Sequence, residues 1–174
     1  MLSIVVGTNR DSSKSELVAG YYQSILEKKG IDSQIIHLKD LPENFISTAL
    51  YKNSGKDERF NVLREGVLKS QKLIFIVPEY NGSFPGVLKA FIDGMPYPKG
   101  FEDKKIALVG LSSGIQGGAL ALSHLNDIFS YLNAHVLGQK VKLIQIEKNL
   151  EDGQISNDLY KQLIENQIDK LIDF

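Results

Sequence analysis

The chain has 174 residues, 43% of them hydrophobic and 24% charged, enough for one domain spanning residues 1–174 with a real core. A formal net charge of −1 removes any global electrostatic case for nucleic acid or an anionic membrane, and zero cysteines exclude disulfides and thiolate chemistry. The opening apolar run Met1–Val6 is too short for a signal-peptide core and has no basic start, and no run approaches the ~20 apolar residues that span a bilayer, so the expected location is cytoplasmic.

Leu2 to Val6 is a short apolar run ending at Gly7 and predicts a buried first strand. A helix follows from about Ser13–Ser15, where Ser13 and Glu16 have the form of a capping box. Its apolar positions are Leu17, Val18, Tyr21, Ile25 and Leu26, and Gly30 ends it. Gln34 to Leu38 predicts a second strand, broken at Leu41-Pro42. Residues 43–56 carry Phe45, Ile46, Leu50 and Tyr51 as anchors of either a loop or a short helix. Asp57 to Ser70 has helical spacing at Phe60, Leu63, Val67 and Leu68.

Leu73 to Val77 predicts the third strand, and a helix runs from Pro85 to about Asp93. Gly94 to Phe101 is a loop dense in proline and glycine, and Ile106 to Leu111 predicts the fourth strand. A helix to about Asn133 precedes the fifth strand, His135 to Ile146, interrupted near Gly138. Asn149 to Gly153 is expected as a turn, and Ser156 to Ile172 as a helix burying Leu159, Leu163, Ile168 and Leu171. Alternating strands and helices predict a three-layer α/β fold, doubly wound, with a five-stranded parallel sheet in the order 2-1-3-4-5.

In that order the loops after strands one, three and four meet at the switch point, where open α/β sheets hold ligands. Loop one, Gly7 to Ser15, offers the hydroxyls of Thr8, Ser13 and Ser15, the Arg10 guanidinium and free amides at a helix start. That set suits a phosphate monoester, with plain helix capping as the alternative. Loop two, Pro78 to Pro85, carries Tyr80, Asn81, Gly82 and Ser83, either as one wall of a pocket or as an ordinary polar turn. Loop three, Ser112 to Gly118, has three glycines and two serines in seven residues, small enough for a planar ligand to lie against the backbone or for a simple strand-to-helix turn. Neither the dinucleotide fingerprint nor the P-loop lysine motif is present. His37, His124 and His135 have no metal-ligand spacing and are assigned structural or surface roles.

The segment Gly7-Thr8-Asn9-Arg10-Asp11-Ser12-Ser13-Lys14-Ser15 resembles the GS-x-R-x-x-S-x-N opening of the NADPH-dependent FMN reductase family. Pro78-Glu79-Tyr80-Asn81-Gly82-Ser83-Phe84-Pro85-Gly86-Val87-Leu88-Lys89 resembles that family's most distinctive motif, and Ser112-Ser113-Gly114 through Gly117-Gly118 its third flavin loop. The resemblance runs from Leu2 to about Val141. It implies a flavodoxin-like fold, bound FMN, and electron transfer from NADPH or NADH to a small-molecule acceptor such as a flavin, quinone or azo compound. It places Thr8, Arg10, Ser13 and Ser15 on the FMN phosphate. Pro78, Glu79, Tyr80, Asn81 and Gly82 would line the isoalloxazine, with Ser112, Ser113 and Gly114 on its other side. It also implies a homodimer or homotetramer. Thr8 stands in place of the usual serine, Ser15 where asparagine is common, and Gly94-Met95-Pro96-Tyr97-Pro98 where the family often has a tryptophan and a longer segment. Tyr97, Phe101 and Met95 either roof the flavin or lie in a dimer seam. A flavodoxin-like electron carrier without NAD(P)H oxidation is the alternative function, and a domain for another phosphorylated ligand a third.

Overall fold

Strands that are apolar on both faces must be covered on both sides, and that requirement sets the architecture. In the computed structural model, which describes residues 1–174, the main strands are β1 (Leu2–Val6), β2 (Ser33–His37), β3 (Lys72–Pro78) and β4 (Lys105–Leu111). They pair in parallel in the expected order, β2-β1-β3-β4-β5, and β5 (His135–Val136) takes the edge. Alternate residues of each strand enter opposite cores. Leu73, Phe75 and Val77 join Phe60, Phe91 and Phe129 on one face, while Ile74 and Ile76 join Val18, Tyr22, Ile164 and Ile168 on the other.

Helices α1 (Lys14–Lys28) and α6 (Asp158–Asp173) cover the second of those faces, and α3 (Glu58–Lys69), α4 (Gly86–Asp93) and α5 (Ala119–Tyr131) cover the first. α1 closes where expected, with Gly30 at φ 73° and the Ile31 N–H donating to the Leu26 carbonyl. Residues 43–56 resolve into a short helix, α2 (Phe45–Thr48), and a single 3-10 turn over Tyr51–Asn53. Phe45 and Leu50 are buried there, whereas Ile46 and Tyr51 face outward.

Three expectations are corrected. The stretch over Asn149–Gly153 is the heart of a small antiparallel hairpin, β7 (Leu150–Glu151) and β8 (Gln154–Ile155), rather than only a turn. α6 buries Tyr160, Ile164, Gln167, Ile168 and Leu171, with Leu159 60% exposed and Leu163 only partly covered. The apolar count alone favoured the leucines because Gln167 does not register as a core residue. In α1 the buried set is Val18, Ala19, Tyr22, Ile25 and Leu26, with Leu17 facing solvent.

Gln167 explains the break in the fifth strand. β5 pairs with the start of β4, β6 (Val141–Leu143) pairs with its end, and residues 137–140 bulge between them. The Gln167 Nε2 group donates to the Leu108 carbonyl and to the Gln139 carbonyl, both at 3.0 Å. Its Oε1 accepts from the buried Tyr22 hydroxyl at 2.9 Å. A helix side chain therefore supplies the donor that a continuous strand would have offered to β4, and the Gln167 amide, the Tyr22 hydroxyl and the Leu108 and Gln139 carbonyls are all paired. Replacing Gln167 with leucine strands two buried carbonyls and a buried hydroxyl. The Gln167→Leu variant is expected to lose about 2–4 kcal/mol in urea unfolding, with the secondary structure otherwise retained.

Candidate functional site

Register brings the three loops together. Val6 lies opposite Ile76 and Ile76 opposite Val109, and β3 and β4 run two residues further to the paired Pro78 and Leu111, so the three loops leave the same edge of the sheet. The loops that follow line a cleft of about 420 Å³. Its walls include Thr8, Arg10, Ser13 and Ser15 from loop one, Pro78, Glu79 and Tyr80 from loop two, and Ser112 and Ser113 from loop three. Nine of the twelve residues singled out in the sequence meet there; Asn81, Gly82 and Gly114 do not line it.

Loop one is arranged to leave donors free. Ser13 caps α1, its hydroxyl accepting from the Glu16 N–H at 3.2 Å. The capping box is only half formed, because the Glu16 carboxylate turns away to Lys39 Nζ at 2.6 Å. Consequently the N–H groups of Ser12, Ser13, Lys14 and Ser15 have no acceptor within the chain. Ser15 is 1% exposed, lines the cleft, and its hydroxyl likewise has no partner in the chain. Arg10 enters no ion pair, so an unmatched guanidinium stands beside a positive helix end. The free amides of the helix start, the buried Ser15 hydroxyl and the exposed Arg10 guanidinium together fit a phosphate monoester.

Loop two is a tight reversal. Tyr80 and Ser83 exchange backbone hydrogen bonds of 2.8 and 3.0 Å, and Asn81 and Gly82 both have positive φ, 51° and 78°. Glu79 does not present its carboxylate to the cleft as a free group. Its Oε1 accepts from the Gly82 N–H, and its own N–H donates to the Leu111 carbonyl at 2.9 Å. On the far side Ser83 Oγ pairs with His124 Nδ1 at 2.9 Å, which gives this histidine of α5 a structural task. The turn is held from both sides, and the Asn81 N–H is left without a partner. Pro85 precedes α4 as its cap, with helical residues beginning at Gly86.

Loop three is glycine-rich mainly for packing. A Cβ on Gly110, at the end of β4, would overlap the Gly117 carbonyl oxygen, and Gly117 and Gly118 have φ of 56° and 72°. Gly114 has open space around it, so no close approach demands a glycine there. Ser112 Oγ is engaged within the loop, donating to the Gly114 carbonyl and accepting from the Gly117 N–H. It shapes the cleft rather than reaching into it. Ser113 Oγ donates to Glu147 Oε1 at 2.7 Å.

Glu147 was not foreseen, nor were Ser12, Lys14, Leu111 and Ile146 as lining residues. Ser12 and Lys14 sit within the loop-one motif and were overlooked as side chains only. Glu147 comes from a single 3-10 turn after β6, and no local pattern marks it. The Ser113 hydroxyl, then a backbone hydrogen bond and the nearby Lys14 ammonium, hold its carboxyl below the usual range. The loop after α4 takes no part in the cleft. Met95 and Phe101 are buried in the core, and Tyr97, 70% exposed, lines a separate apolar groove of about 470 Å³ with Tyr131 of α5.

A doubly wound sheet whose switch-point cleft offers free helix-start amides and an arginine outside any ion pair has a donor set that suits a phosphate ester. The NADPH-dependent FMN reductase family model matches residues 1–148, and the chain belongs to that family. A NAD(P)H-dependent FMN reductase of Pseudomonas aeruginosa is 36% identical over 118 residues, covering 66% of this chain but only 62% of its own length, so the chain spans less than two thirds of that relative. A 2-hydroxy-1,4-benzoquinone reductase from a Burkholderia species is 27% identical over 177 residues, covering 97% of this chain and 92% of its own. Among solved structures, the Paracoccus denitrificans flavoenzyme NAD(P)H:(acceptor) oxidoreductase FerB superposes with a TM-score of 0.79 at 24% identity, covering 99% of this chain and 94% of that one. A Streptococcus pneumoniae flavodoxin superposes with a TM-score of 0.63 at 13% identity, covering 99% of both, and the fold is flavodoxin-like.

Removing the Ser113 hydroxyl takes away the largest influence on Glu147. In Ser113→Ala the Glu147 carboxyl is expected to titrate at a higher pH, nearer an ordinary glutamate. Side-chain NMR titration checks this, and an unchanged midpoint would show that the hydroxyl does not set the carboxylate's acidity.

Proposed function

We propose that this chain is a single-domain, FMN-dependent NAD(P)H oxidoreductase that passes electrons from NADPH or NADH to a small-molecule acceptor, a quinone, azo compound or flavin. The observation that carries the proposal is the loop-one donor set: four consecutive amides without acceptors, a buried free hydroxyl and an unpaired Arg10 in a family named for FMN. The relatives named above supply the acceptor classes, one a benzoquinone reductase, and FMN-dependent NADPH-azoreductases of Staphylococcus add azo compounds.

When bound, FMN supplies the redox chemistry, taking two electrons from a nicotinamide cofactor and passing them to the acceptor. The chain's own work is binding and orientation. Arg10 and the amides of Ser12 to Ser15 would hold the phosphate, with the hydroxyls of Thr8 and Ser15 completing its shell. The Asn81 N–H, unpartnered and held by the stapled turn next to the cleft residue Tyr80, would be a pre-placed donor toward the ring of a bound FMN. No side chain in the cleft is required as nucleophile or general base. Glu79, the obvious candidate, has one carboxylate oxygen committed to the Gly82 N–H.

The purified protein mixed with FMN is expected to show bound-flavin absorbance that NADPH or NADH bleaches under anaerobic conditions. An FMN-loaded sample that neither nucleotide reduces would exclude the oxidoreductase reading and leave an FMN-binding carrier. Arg10→Ala removes the charge-assisted bonds to the phosphate, worth about 1.5–3 kcal/mol, and should raise the FMN Kd roughly 10- to 100-fold in fluorescence titration. The proposal includes assembly as a homodimer or homotetramer. The largely exposed Tyr97 and Tyr131 beside the apolar groove favour it, and static light scattering checks it.

A further inference from the structure

Thr8 sits 1% exposed between loops one and two, and its hydroxyl touches both. The Arg10 N–H donates to Thr8 Oγ1 at 3.3 Å, and the Tyr80 hydroxyl lies 3.0 Å from the same oxygen. A threonine hydroxyl has one proton and two acceptor lone pairs. With one lone pair taken by Arg10 N–H, the contact to Tyr80 has two arrangements. Either Thr8 gives its only proton to Tyr80 and has nothing left for the cleft, or Tyr80 donates to Thr8 and the Thr8 proton is free for a third group. An anion in the cleft accepts but does not donate, so it selects the second arrangement.

Tyr80 can impose that choice because its own position is not free. Its backbone is bridged to Ser83 in both directions, Glu79 staples the turn through the Gly82 N–H, and His124 holds Ser83 from α5. The phenol has no partner other than Thr8. Its hydroxyl reaches loop one, the phosphate-binding end of the cleft, and not only the ring side to which the family resemblance assigns Tyr80.

We propose that Tyr80 is a positioning residue for phosphate recognition: its phenol donates to Thr8 Oγ1 and fixes the Thr8 proton as a donor to the phosphate of the bound flavin. The inference rests on the FMN reading. Under it, Tyr80 discriminates a phosphorylated flavin from riboflavin through Thr8, without touching the phosphate itself. The pair is a short relay in which each bond polarises the next.

The test is a fluorescence titration of the apoprotein with FMN and with riboflavin, for the wild type, Tyr80→Phe, Thr8→Val, the double variant and Thr8→Ser. Tyr80→Phe should weaken FMN binding roughly 3- to 10-fold while leaving riboflavin affinity within about twofold. Thr8→Val should lose at least as much for FMN, the double variant no more than Thr8→Val alone, and Thr8→Ser should retain the FMN preference. Equal weakening of both flavins by Tyr80→Phe overturns the proposal, since a ring contact alone does that. Additive losses in the double variant overturn it as well. A wild type that binds FMN no better than riboflavin defeats the phosphate assignment itself, a different result from a wild-type preference that Tyr80→Phe leaves intact.

Discussion

The parallel pairing of β1, β3 and β4 in one register is the constraint on which the cleft depends. Val5 pairs with Phe75 and Phe75 with Leu108, all three fully buried, so a slip along any strand would expose these side chains or leave carbonyls unmatched. Because β1, β3 and β4 all end at the same edge of the sheet, β1 two residues short of the other two, Gly7, Glu79 and Ser112 lead into neighbouring loops. Backbone bonds continue across them: Gly7 N–H reaches the Ile76 carbonyl at 2.8 Å and Glu79 N–H the Leu111 carbonyl at 2.9 Å. The loops thus begin as extensions of a rigid sheet, and their first residues inherit its geometry. A Cβ on Gly7 would press against Ile76 and Leu88, which is why the first loop can start so close to β3 and α4.

Once placed, the loops divide their polar groups in two. One set is used internally: Ser112 within its own loop, Glu79 on Gly82, Ser83 on His124. The other set faces the cleft unused, and it is concentrated at loop one. The division turns on Glu16. In a complete capping box its carboxylate would return to the Ser13 N–H and put a negative charge at the mouth of the anion site. Bound to Lys39 instead, it supports α1 from the β2 side and leaves that amide available. One ion pair outside the cleft therefore helps decide what the cleft can bind.

Much of this was legible in the chain. The strands showed as β-branched runs, the sheet order followed from their alternation with helices, and the three polar loops stood out because such residues are poor core material. What escaped has physical causes. Gln167 was invisible because a buried glutamine is acceptable only when three separate segments supply its partners, and no local window contains Leu108, Gln139 and Tyr22 together. The glycines of loop three looked like room for a ligand, whereas Gly110, Gly117 and Gly118 answer a close approach between β4 and its own loop. The fold-back of the Glu79 carboxylate onto the Gly82 N–H escaped because the turn, not the residues beside Glu79, determines it.

Glu147 raises the sharpest electrostatic point, since a carboxylate at the wall of an anion site is at first sight misplaced. Its surroundings resolve this. Lys14 lies near enough to lower its pKa, and Ser113 donates to it directly, so both favour the ionised carboxylate, the hydroxyl more strongly than the ammonium. Neither Arg10 nor Lys14 enters an ion pair, so both cations of loop one remain available to a ligand. The cleft is therefore polarised, with unmatched positive character at loop one and acceptor oxygens where loop three meets the turn after β6. A cleft of that kind complements a molecule with a phosphate at one end and hydroxyl-bearing, uncharged chain beyond it. A second anionic group placed toward Glu147 would meet that carboxylate's repulsion, weighed against the nearby Lys14 ammonium. The acceptor character at this end of the cleft comes from a residue outside all three loops.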